Sequence, residues 1–172
     1  YEKYKLPLVA IYPSAVVGAN DPKACGRYFK NYAQGHMPAQ VLTKFYFPFV
    51  HVRDVADAIV RALEKKNNIG EKYIVSAENH TFGEINQMIR EISGTKLPIL
   101  NLPTWATLMT SYLLTGIANI IRKPPIWDLS VDQVKLMKQA FKIDGSKAER
   151  DLGIRYTSVY DGIKESIESF QE

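Results

Sequence analysis

The sequence predicts an α/β protein that is mostly helical, with a few short parallel strands. The run LPLVAIYP at 6–13 is apolar without alternation, which is typical of a strand covered on both faces and therefore of a parallel sheet. GEKYIVSA at 70–77 contains a second strand, predicted at 73–76. Most of the remaining chain has the apolar spacing of amphipathic helices.

The composition restricts the classes of protein to which the chain can belong. The chain has 172 residues, of which 46% are apolar, enough for one globular domain with a sizeable core. The net charge is +4 and the cations are scattered, which argues against a nucleic-acid partner. A single cysteine, Cys25, excludes an internal disulfide and fits a reducing, cytoplasmic location. The three histidines lie far apart in the sequence, so no metal site is predicted.

Cap residues mark the starts of several helices. A helix at about 22–34 follows a loop rich in glycine, asparagine and proline, and the segment 39–49 between helices is expected to be irregular, with an extended stretch at 49–52. Asp54 is predicted to cap the next helix, Thr81 and Glu84 have capping-box spacing, and Ser130 is expected to cap a helix at 131–139. A last amphipathic helix begins near Val159.

One long stretch carries no charge. WATLMTSYLLTGIANII at 105–121 runs for seventeen residues, short of the about 20 apolar residues that a membrane span needs. Six polar or small residues dilute it. No membrane span is therefore predicted, and we expect a helix that is buried against protein or flanks an apolar substrate. Contact with a membrane surface is the alternative.

The predicted strands are too few for a complete sheet. A strand covered on both faces needs neighbours on both edges, because its backbone groups cannot stay unpaired in a dry interior. The segment 8–12 is therefore expected to be an inner strand of a larger sheet whose other members lie outside these residues. Such a chain would expose an apolar face, so self-association is also expected.

Four segments together resemble one family. They are AIYPSAVVGAND at 10–21, FVHVRDVADAIVRALE at 49–64, GEKYIVSAENHTFGEI at 70–85 and FKIDGSKAERDLGIRYTSVYDGIKESI at 141–167. In this order and spacing they resemble the carboxyl-terminal half of the extended short-chain dehydrogenase/reductases. The resemblance is strongest to the proteins that are similar to dihydroflavonol 4-reductase and to the NAD-dependent epimerases and dehydratases. It implies a Rossmann-type fold.

The chain opens with a spacing that imitates this family's catalytic pair. YEKYK places Tyr1 four residues before Lys5, as in the Tyr-x-x-x-Lys pair of the family. In the family about twenty residues separate that lysine from the Pro-Ser loop, but here only seven separate Lys5 from Pro13. We therefore interpret the spacing as a coincidence and predict no catalytic residue in this chain.

The resemblance also implies what the chain lacks. The family's dinucleotide site needs a glycine-rich turn between a strand and a helix, and no G-x-G-x-x-G occurs in the sequence. Residues 1–172 are expected to be the substrate-binding, carboxyl-terminal portion, without the amino-terminal dinucleotide-binding portion. NAD or NADP would be bound by the parent protein, and the isolated portion is expected to bind none and to be inactive.

The resemblance assigns candidate binding residues. The loop after the first strand approaches the nicotinamide in relatives, which implies cofactor contacts from Pro13, Ser14, Ala15 and Val16. The segment that lines the substrate pocket of epimerase-like relatives is aromatic here. The substrate-binding candidates are Asn20, His36, Met37, Phe45, Tyr46 and Phe47. His51, between two valines, is expected to be a structural histidine.

The substrate class follows from the scarcity of cations near these candidates. Only Arg27, Lys30 and Lys44 are near enough in sequence to hold a diphosphate. We expect the parent to oxidise or reduce a carbonyl or alcohol of a small, partly apolar molecule. A sugar-nucleotide epimerase or dehydratase, and a non-catalytic binding module on the same fold, are the alternatives.

Overall fold

The structure is a computed structural model that describes residues 6–139 and 141–170. The Tyr1–Lys5 spacing lies outside the described residues.

Short strands form three small sheets. The strands are β1 (Ala10–Pro13), β2 (Ala15–Val17), β3 (Gln40–Val41), β4 (Tyr46–His51), β5 (Lys72–Val75), β6 (Glu78–Thr81) and β7 (Asn101–Leu102). β1 pairs with β5, β2 with β4 and β3 with β7, all in parallel, and β6 pairs antiparallel with β4. The prediction of an α/β fold with short parallel strands is confirmed.

The prediction of an irregular segment at 39–49 is wrong for 40–41 and 46–49, whereas the extended stretch predicted at 49–52 is confirmed at 49–51. This segment forms β3 and most of β4, and Phe47 and Phe49 on β4 pair with His80 and Glu78 on β6. Pro48 lies inside β4, and proline and lysine are uncommon in a central strand, so local sequence alone favoured a loop here. Pairing with two neighbouring strands outweighs that local preference.

Helices cover the sheets. They are α1 (Ala24–Ala33), α2 (Val52–Glu64), α3 (Phe82–Ser93), α4 (Thr104–Ile121), α5 (Val131–Met137), α6 (Ser146–Leu152) and α7 (Val159–Glu168), with a 3₁₀ turn at Ile126–Asp128. The capping box of Thr81 and Glu84 is confirmed, with both reciprocal hydrogen bonds present. The Ser130 cap is confirmed by a hydrogen bond from the Gln133 amide to the Ser130 hydroxyl.

The cap predicted for α2 is wrong. The first residue of this helix is Val52, and Nδ1 of His51 accepts a hydrogen bond from the Arg53 amide at 3.1 Å. Asp54 instead lies inside the first turn, where its side chain is buried and bound to Thr157 near the other end of the chain. His51 therefore caps the helix, and Asp54 makes a long-range contact instead.

The strand at the start of the chain is paired on one edge. β1 lies against β5 and packs on α2, and its other edge has no partner among residues 6–139 and 141–170. Half of the Tyr12 side chain is exposed (51%). Burial of both faces, expected from the apolar run, is therefore incomplete at this strand.

The main core lies between the sheet of β2 and β4 and three helices. Its buried residues come from β2, β4, α1, α3 and α7; they are Val17, Phe29, Tyr32, Phe49, Ile85, Ile89, Val159, Ile163 and Ile167. Helix α7 approaches the sheet closely at Gly162, where an added Cβ would be 2.6 Å from Cγ2 of Val17. Only glycine permits this spacing between helix and strand.

The uncharged helix is in the predicted place but is not buried as expected. α4 packs on α5, and most of its large apolar side chains are exposed, Ile120 by 83% and Trp105 by 67%. Within the described ranges, no helix is long and apolar enough to cross a membrane.

Candidate functional site

A cavity of about 660 Å³ lies beside the carboxyl ends of β1 and β2. One side is formed by the loop after β2 and by the start of α1, and the other by the 3₁₀ turn and α5. The carboxyl ends of parallel strands are where ligands bind in open α/β sheets. The volume is in the range of small-molecule sites, which makes this cavity the candidate binding site.

The chain changes sheets at the edge of the cavity. β1 ends at Pro13 and β2 begins at Ala15, so Ser14 is the residue between two sheets, and its amide donates to the Val75 carbonyl at 3.0 Å. The Ser14 hydroxyl is buried without a hydrogen-bond partner among the described residues. A buried hydroxyl of this kind costs free energy unless it is paired, and a ligand polar group could pair with it.

Asp21 holds the start of α1 against the cavity. Its Oδ1 accepts a hydrogen bond from the Lys23 amide at 2.9 Å and its Oδ2 accepts one from the Gly26 amide at 2.8 Å. The backbone approach is tight, because a Cβ added at Gly26 would lie 2.0 Å from the Asp21 carbonyl oxygen. Glycine at position 26 is therefore required by the turn that forms this wall.

Aromatic rings form the floor of the cavity. Phe47 on β4, Phe82 on α3 and Tyr28 on α1 pack in a row, with ring centroids 5.7 Å apart for Phe47 and Phe82 and 5.9 Å for Tyr28 and Phe82. The Tyr28 hydroxyl donates to Oδ1 of Asn86 at 2.6 Å. This hydrogen bond satisfies the one polar group of the row, and the rings present apolar surface.

Burial favours the neutral forms of two titratable groups in the cavity lining, the Cys25 thiol and the Tyr28 phenol. Burial, with a smaller contribution from Asp21, raises the pKa of the Cys25 thiol to about 12. Burial is also the largest cause of the raised pKa of Tyr28. Asp21 is the only charged residue among the described residues that line the cavity. The lining contains no lysine or arginine, so the cavity is apolar and has no cation for a diphosphate.

The far wall comes from the carboxyl-terminal third of the chain, where no sequence pattern predicted a site. Trp127, Leu129, Gln133, Leu136 and Met137 line this wall. Trp127 has a left-handed backbone (φ 58°, ψ 17°), which is uncommon for a large side chain and is concentrated at functional sites. The sequence predicted a helix at 131–139 here, but apolar residues on a helix have the same spacing in a core and in a cavity wall.

Five of the ten predicted binding residues lie together at the cavity. They are Ala15, Val16, Asn20, Met37 and Phe47. Ala15 and Val16, the candidates for cofactor contact, are on β2, and Asn20 is in the loop that follows it. The fold therefore places candidates from the Pro-Ser loop and from the aromatic segment around one space.

The other five are not in the cavity lining. Pro13 and Ser14 lie next to it in the chain, at the end of β1. The His36 side chain is exposed, and the Phe45 side chain packs against the small core of Val41, Leu42 and Val134. The Tyr46 ring lies under the Lys142 ammonium, 3.9 Å from Nζ to the ring centroid. Successive side chains along β4 point to opposite faces of the sheet, which explains why Phe47 lines the cavity and its neighbour Tyr46 does not.

The buried histidine has structural partners. His51 is fully buried, its Nδ1 accepts from the Arg53 amide, and its Nε2 lies 3.2 Å from Oε2 of Glu165 on α7. Because Nδ1 accepts a hydrogen bond, it carries no proton. The ring proton is therefore on Nε2, which donates a hydrogen bond to the Glu165 carboxylate. Both ring nitrogens are thus satisfied within the core, as the sequence predicted.

Solved structures with similar folds are extended Rossmann-type enzymes. The structure of gox2253 has a TM-score of 0.76 and 29% identity, and the match covers 98% of this chain and 50% of that one. UDP-glucuronic acid 4-epimerase from Bacillus cereus, in complex with UDP-glucuronic acid and NAD, has a TM-score of 0.68 and 20% identity over 99% of this chain and 47% of that one. The class is therefore a Rossmann-type α/β protein.

Sequence comparisons show which proteins of that class the chain is similar to. Residues 1–76 match the NAD dependent epimerase/dehydratase family. Sterol demethylase protein B of Methylococcus capsulatus is 29% identical over 97% of this chain and 51% of its own length, and a Synechocystis protein named for dihydroflavonol 4-reductase is 26% identical over 95% and 48%. Over nearly its whole length the chain is similar to extended short-chain dehydrogenase/reductases. It spans about half the length of the curated relatives it matches.

Proposed function

We propose that this chain is the substrate-binding portion of an NAD(P)-dependent oxidoreductase that acts on a carbonyl or alcohol of a small, largely apolar molecule. The observation that carries the proposal is the cavity of about 660 Å³ with apolar and aromatic walls at the carboxyl ends of β1 and β2. Similarity to the NAD dependent epimerase/dehydratase family supports the nicotinamide cofactor, and the apolar character of the cavity supports the substrate class.

The cofactor would be held mainly by residues outside this chain. No glycine-rich turn for the pyrophosphate occurs in the sequence, so we assign residues 1–172 to the substrate side and place the dinucleotide-binding portion elsewhere in the parent protein. Ala15 and Val16 would contact one edge of the nicotinamide, and the unpaired Ser14 hydroxyl beside them suits its carboxamide. The cofactor, when bound, supplies or accepts the hydride.

The substrate would be held by the aromatic row and the far wall. Phe47 and Met37 lie on one side and Met137 lies on the other, which together suit a ring system or a branched hydrocarbon. Asn20 is the polar candidate for orienting the reacting oxygen. Pro13, His36, Phe45 and Tyr46 lie outside the lining and remain predictions as contacts.

A sugar-nucleotide epimerase or dehydratase is the second candidate. The matched family and the NAD-bound Bacillus cereus neighbour favour it. The charge of the cavity weighs against it, because a diphosphate would meet the Asp21 carboxylate with no lysine or arginine in the lining to balance it. The apolar substrate is therefore the first choice.

The test uses the full-length parent protein. Titration calorimetry with NADH and NADPH comes first, and a parent that releases no heat with either is a non-catalytic binding module. Turnover is then measured with an apolar cyclic ketone and with UDP-glucose. We expect kcat/KM for the ketone to exceed that for UDP-glucose at least tenfold; the reverse order would contradict the proposal.

A polar substitution in the far wall sharpens this test. Met137→Gln keeps the side-chain length but buries an amide against an apolar substrate, which should raise KM for the ketone about tenfold. Met109→Gln is the matched control, since Met109 is 66% exposed on α4 and lies outside the cavity lining. Both variants are assayed without lipid, and equal KM values would refute the assignment of this wall.

A further inference from the structure

Helix α4 turns its polar side chains inward and its large apolar side chains outward, which is the reverse of a normal surface helix. Its inward side carries Thr107 and Ser111, both fully buried, together with Thr115. Its outward side, defined here as the outer face of α4, consists of Trp105, Met109, Tyr112, Leu113, Ile117 and Ile120, all of them exposed. An amphipathic helix at a protein surface normally turns its apolar side inward.

The buried hydroxyl groups are satisfied, so the reversed orientation is stable. The Thr107 hydroxyl donates to the Pro103 carbonyl at 3.2 Å, and the Ser111 hydroxyl donates to the Leu108 carbonyl at 2.7 Å. The Thr115 hydroxyl accepts a hydrogen bond from the Val131 amide at the start of α5. These bonds tie the polar side of α4 to its own turns and to α5, and they leave the large apolar side chains facing outward.

The apolar surface continues beyond the helix. Ile99, in the segment that leads into α4, is completely exposed, and its neighbour Leu100 is more than half exposed. At the rise of about 1.5 Å per residue, the eighteen residues of α4 extend this surface over about 27 Å. Contiguous exposed apolar surfaces of this extent mark an interaction site.

Along the segment that carries this surface, all charges have one sign. Residues 92–127 contain no acidic residue and three cations, which are Lys96, Arg122 and Lys123. Lys135 on α5 adds a fourth, with its ammonium 5.6 Å from the centroid of the Tyr112 ring. Tryptophan and tyrosine beside lysine and arginine are the residues enriched where proteins meet lipid headgroups.

We propose that the outer face of α4 docks on the surface of an anionic lipid bilayer, with α4 lying in the plane of the interface. The apolar side chains enter the boundary between headgroups and acyl chains, and the four cations meet the anionic headgroups. The inference concerns attachment to a surface, and it agrees with the absence of a spanning helix among the described residues.

The position of α4 links this surface to the candidate cavity. α4 packs on α5, and α5 supplies Leu136 and Met137 to the cavity lining. The outer face of α4 is thus one helix away from the apolar cavity. This link rests on the proposed function, whereas the lipid docking does not.

The outer face of α4 is separate from the free edge of the sheet. β1 packs on α2, whereas α4 packs on α5. Strands of a longer chain that extend the sheet at β1 would pair at that edge, so their addition does not by itself cover α4. A second copy of this protein could also cover the outer face of α4, and light scattering distinguishes that case from lipid docking.

The test is co-sedimentation of the full-length protein with phosphatidylcholine vesicles that contain or lack phosphatidylserine. We expect binding that needs phosphatidylserine, weakens with salt and shifts the tryptophan emission to shorter wavelength. The chain contains two tryptophans, of which Trp105 lies on the outer face of α4. Failure to bind vesicles with phosphatidylserine would overturn the proposal, whatever the enzyme assays show.

Matched variants locate the contact. Ile120→Glu should weaken vesicle binding at least tenfold, and Leu63→Glu should leave it unchanged, because these two side chains are equally exposed (83% and 82%) but lie on different helices. Lys123→Gln should weaken binding about fivefold, and Lys66→Gln should not. Equal effects of the two glutamate variants would refute the assignment to α4.

In the remaining outcome, a second copy of the protein covers the outer face of α4. If light scattering shows that Ile120→Glu converts an oligomer to a monomer while Leu63→Glu does not, the occupant is a second copy and lipid docking is wrong. An unchanged monomer in both variants, together with vesicle binding by the unmodified protein, is the result that the proposal requires.

Discussion

Asp54 and Thr157 are joined by two hydrogen bonds across 103 positions of the chain. Oδ2 of Asp54 accepts from the Thr157 amide at 2.8 Å, and Oδ1 accepts from the Thr157 hydroxyl at 2.7 Å. The pair fixes the start of α2 to the segment that leads into α7. Since α7 covers the sheet behind the cavity, this contact determines how the last helix closes the core.

Removal of this carboxylate should destabilise the fold. Asp54→Ala leaves the amide and hydroxyl of Thr157 without their acceptor, and we expect a loss of about 2–4 kcal/mol in the free energy of unfolding. Asp57→Ala, on the same helix, removes an exposed pair with Arg61 and should cost about 0.5 kcal/mol or less. Urea unfolding measures both. Similar losses in the two variants would contradict the role given to Asp54.

The partner of the buried histidine offers a second test. Glu165→Ala leaves the Nε2–H group of fully buried His51 without an acceptor, which should cost about 1–3 kcal/mol. Glu168→Ala, one turn further along α7, removes an exposed contact with Lys164 and should cost little. Nitrogen chemical shifts of the ring should show the proton on Nε2 of His51; a proton on Nδ1 would refute the arrangement.

Two glycine-to-alanine exchanges should have opposite signs. Gly26→Ala places a methyl group against the Asp21 carbonyl, and we expect a loss of more than about 1 kcal/mol, with weaker substrate binding because this turn forms the cavity wall. Gly116→Ala meets no atom within 4 Å inside α4 and should stabilise by about 0.5–1 kcal/mol. Thermal unfolding without lipid checks both. Stabilisation by Gly26→Ala would show that the turn is looser than described.

Alkaline pH should reveal the state of the Cys25 thiol. Its pKa rises from the ordinary value of 9.0 to about 12, chiefly because of burial and secondly because of Asp21. Above pH 9 the unfolded chain loses this proton while the folded chain keeps it, so stability should fall between pH 9 and 12. The buried tyrosines 28 and 32, whose pKa values are also raised, act in the same direction from about pH 10.

A substitution separates the thiol from the tyrosines. Cys25→Ala should remove the part of the pH dependence that begins near pH 9 and keep the part that begins near pH 10. In the unmodified protein, the thiol should also react slowly with a disulfide reagent at pH 8, and unfolding in urea should make the reaction fast. Rapid labelling of the folded protein would contradict a neutral, shielded thiol.

Local patterns predicted the elements whose determinants are close in sequence. The capping box at Thr81 and the cap at Ser130 are of this kind, because the donor and the acceptor are three residues apart. The first half of strand β4 was missed because Pro48 lowers its local preference, while two neighbouring strands far away in sequence supply its pairing. Asp54 was misassigned for the same reason, since its partner Thr157 cannot be inferred from spacing.

The candidate site was predicted only in part for a related reason. The Pro-Ser loop and the aromatic segment stood out by composition, and Ala15, Val16 and Phe47 do line the cavity. The far wall is made of ordinary apolar residues such as Leu136 and Met137, whose spacing is the same in a core and in a cavity. The exposure of α4 was also unpredictable, because helical periodicity states which residues share a face and not what that face meets.

Pro13 restricts what can be added to the free edge of β1. The amides of Ala10 and Ser14 donate towards β5, so alternation directs those of Val9 and Ile11 to the opposite edge, where Pro13 has no N–H group to offer. An incoming strand would find its last donor at Ile11. The proline thus ends the row of hydrogen-bond donors on this edge, two residues before Ala15 enters the next sheet.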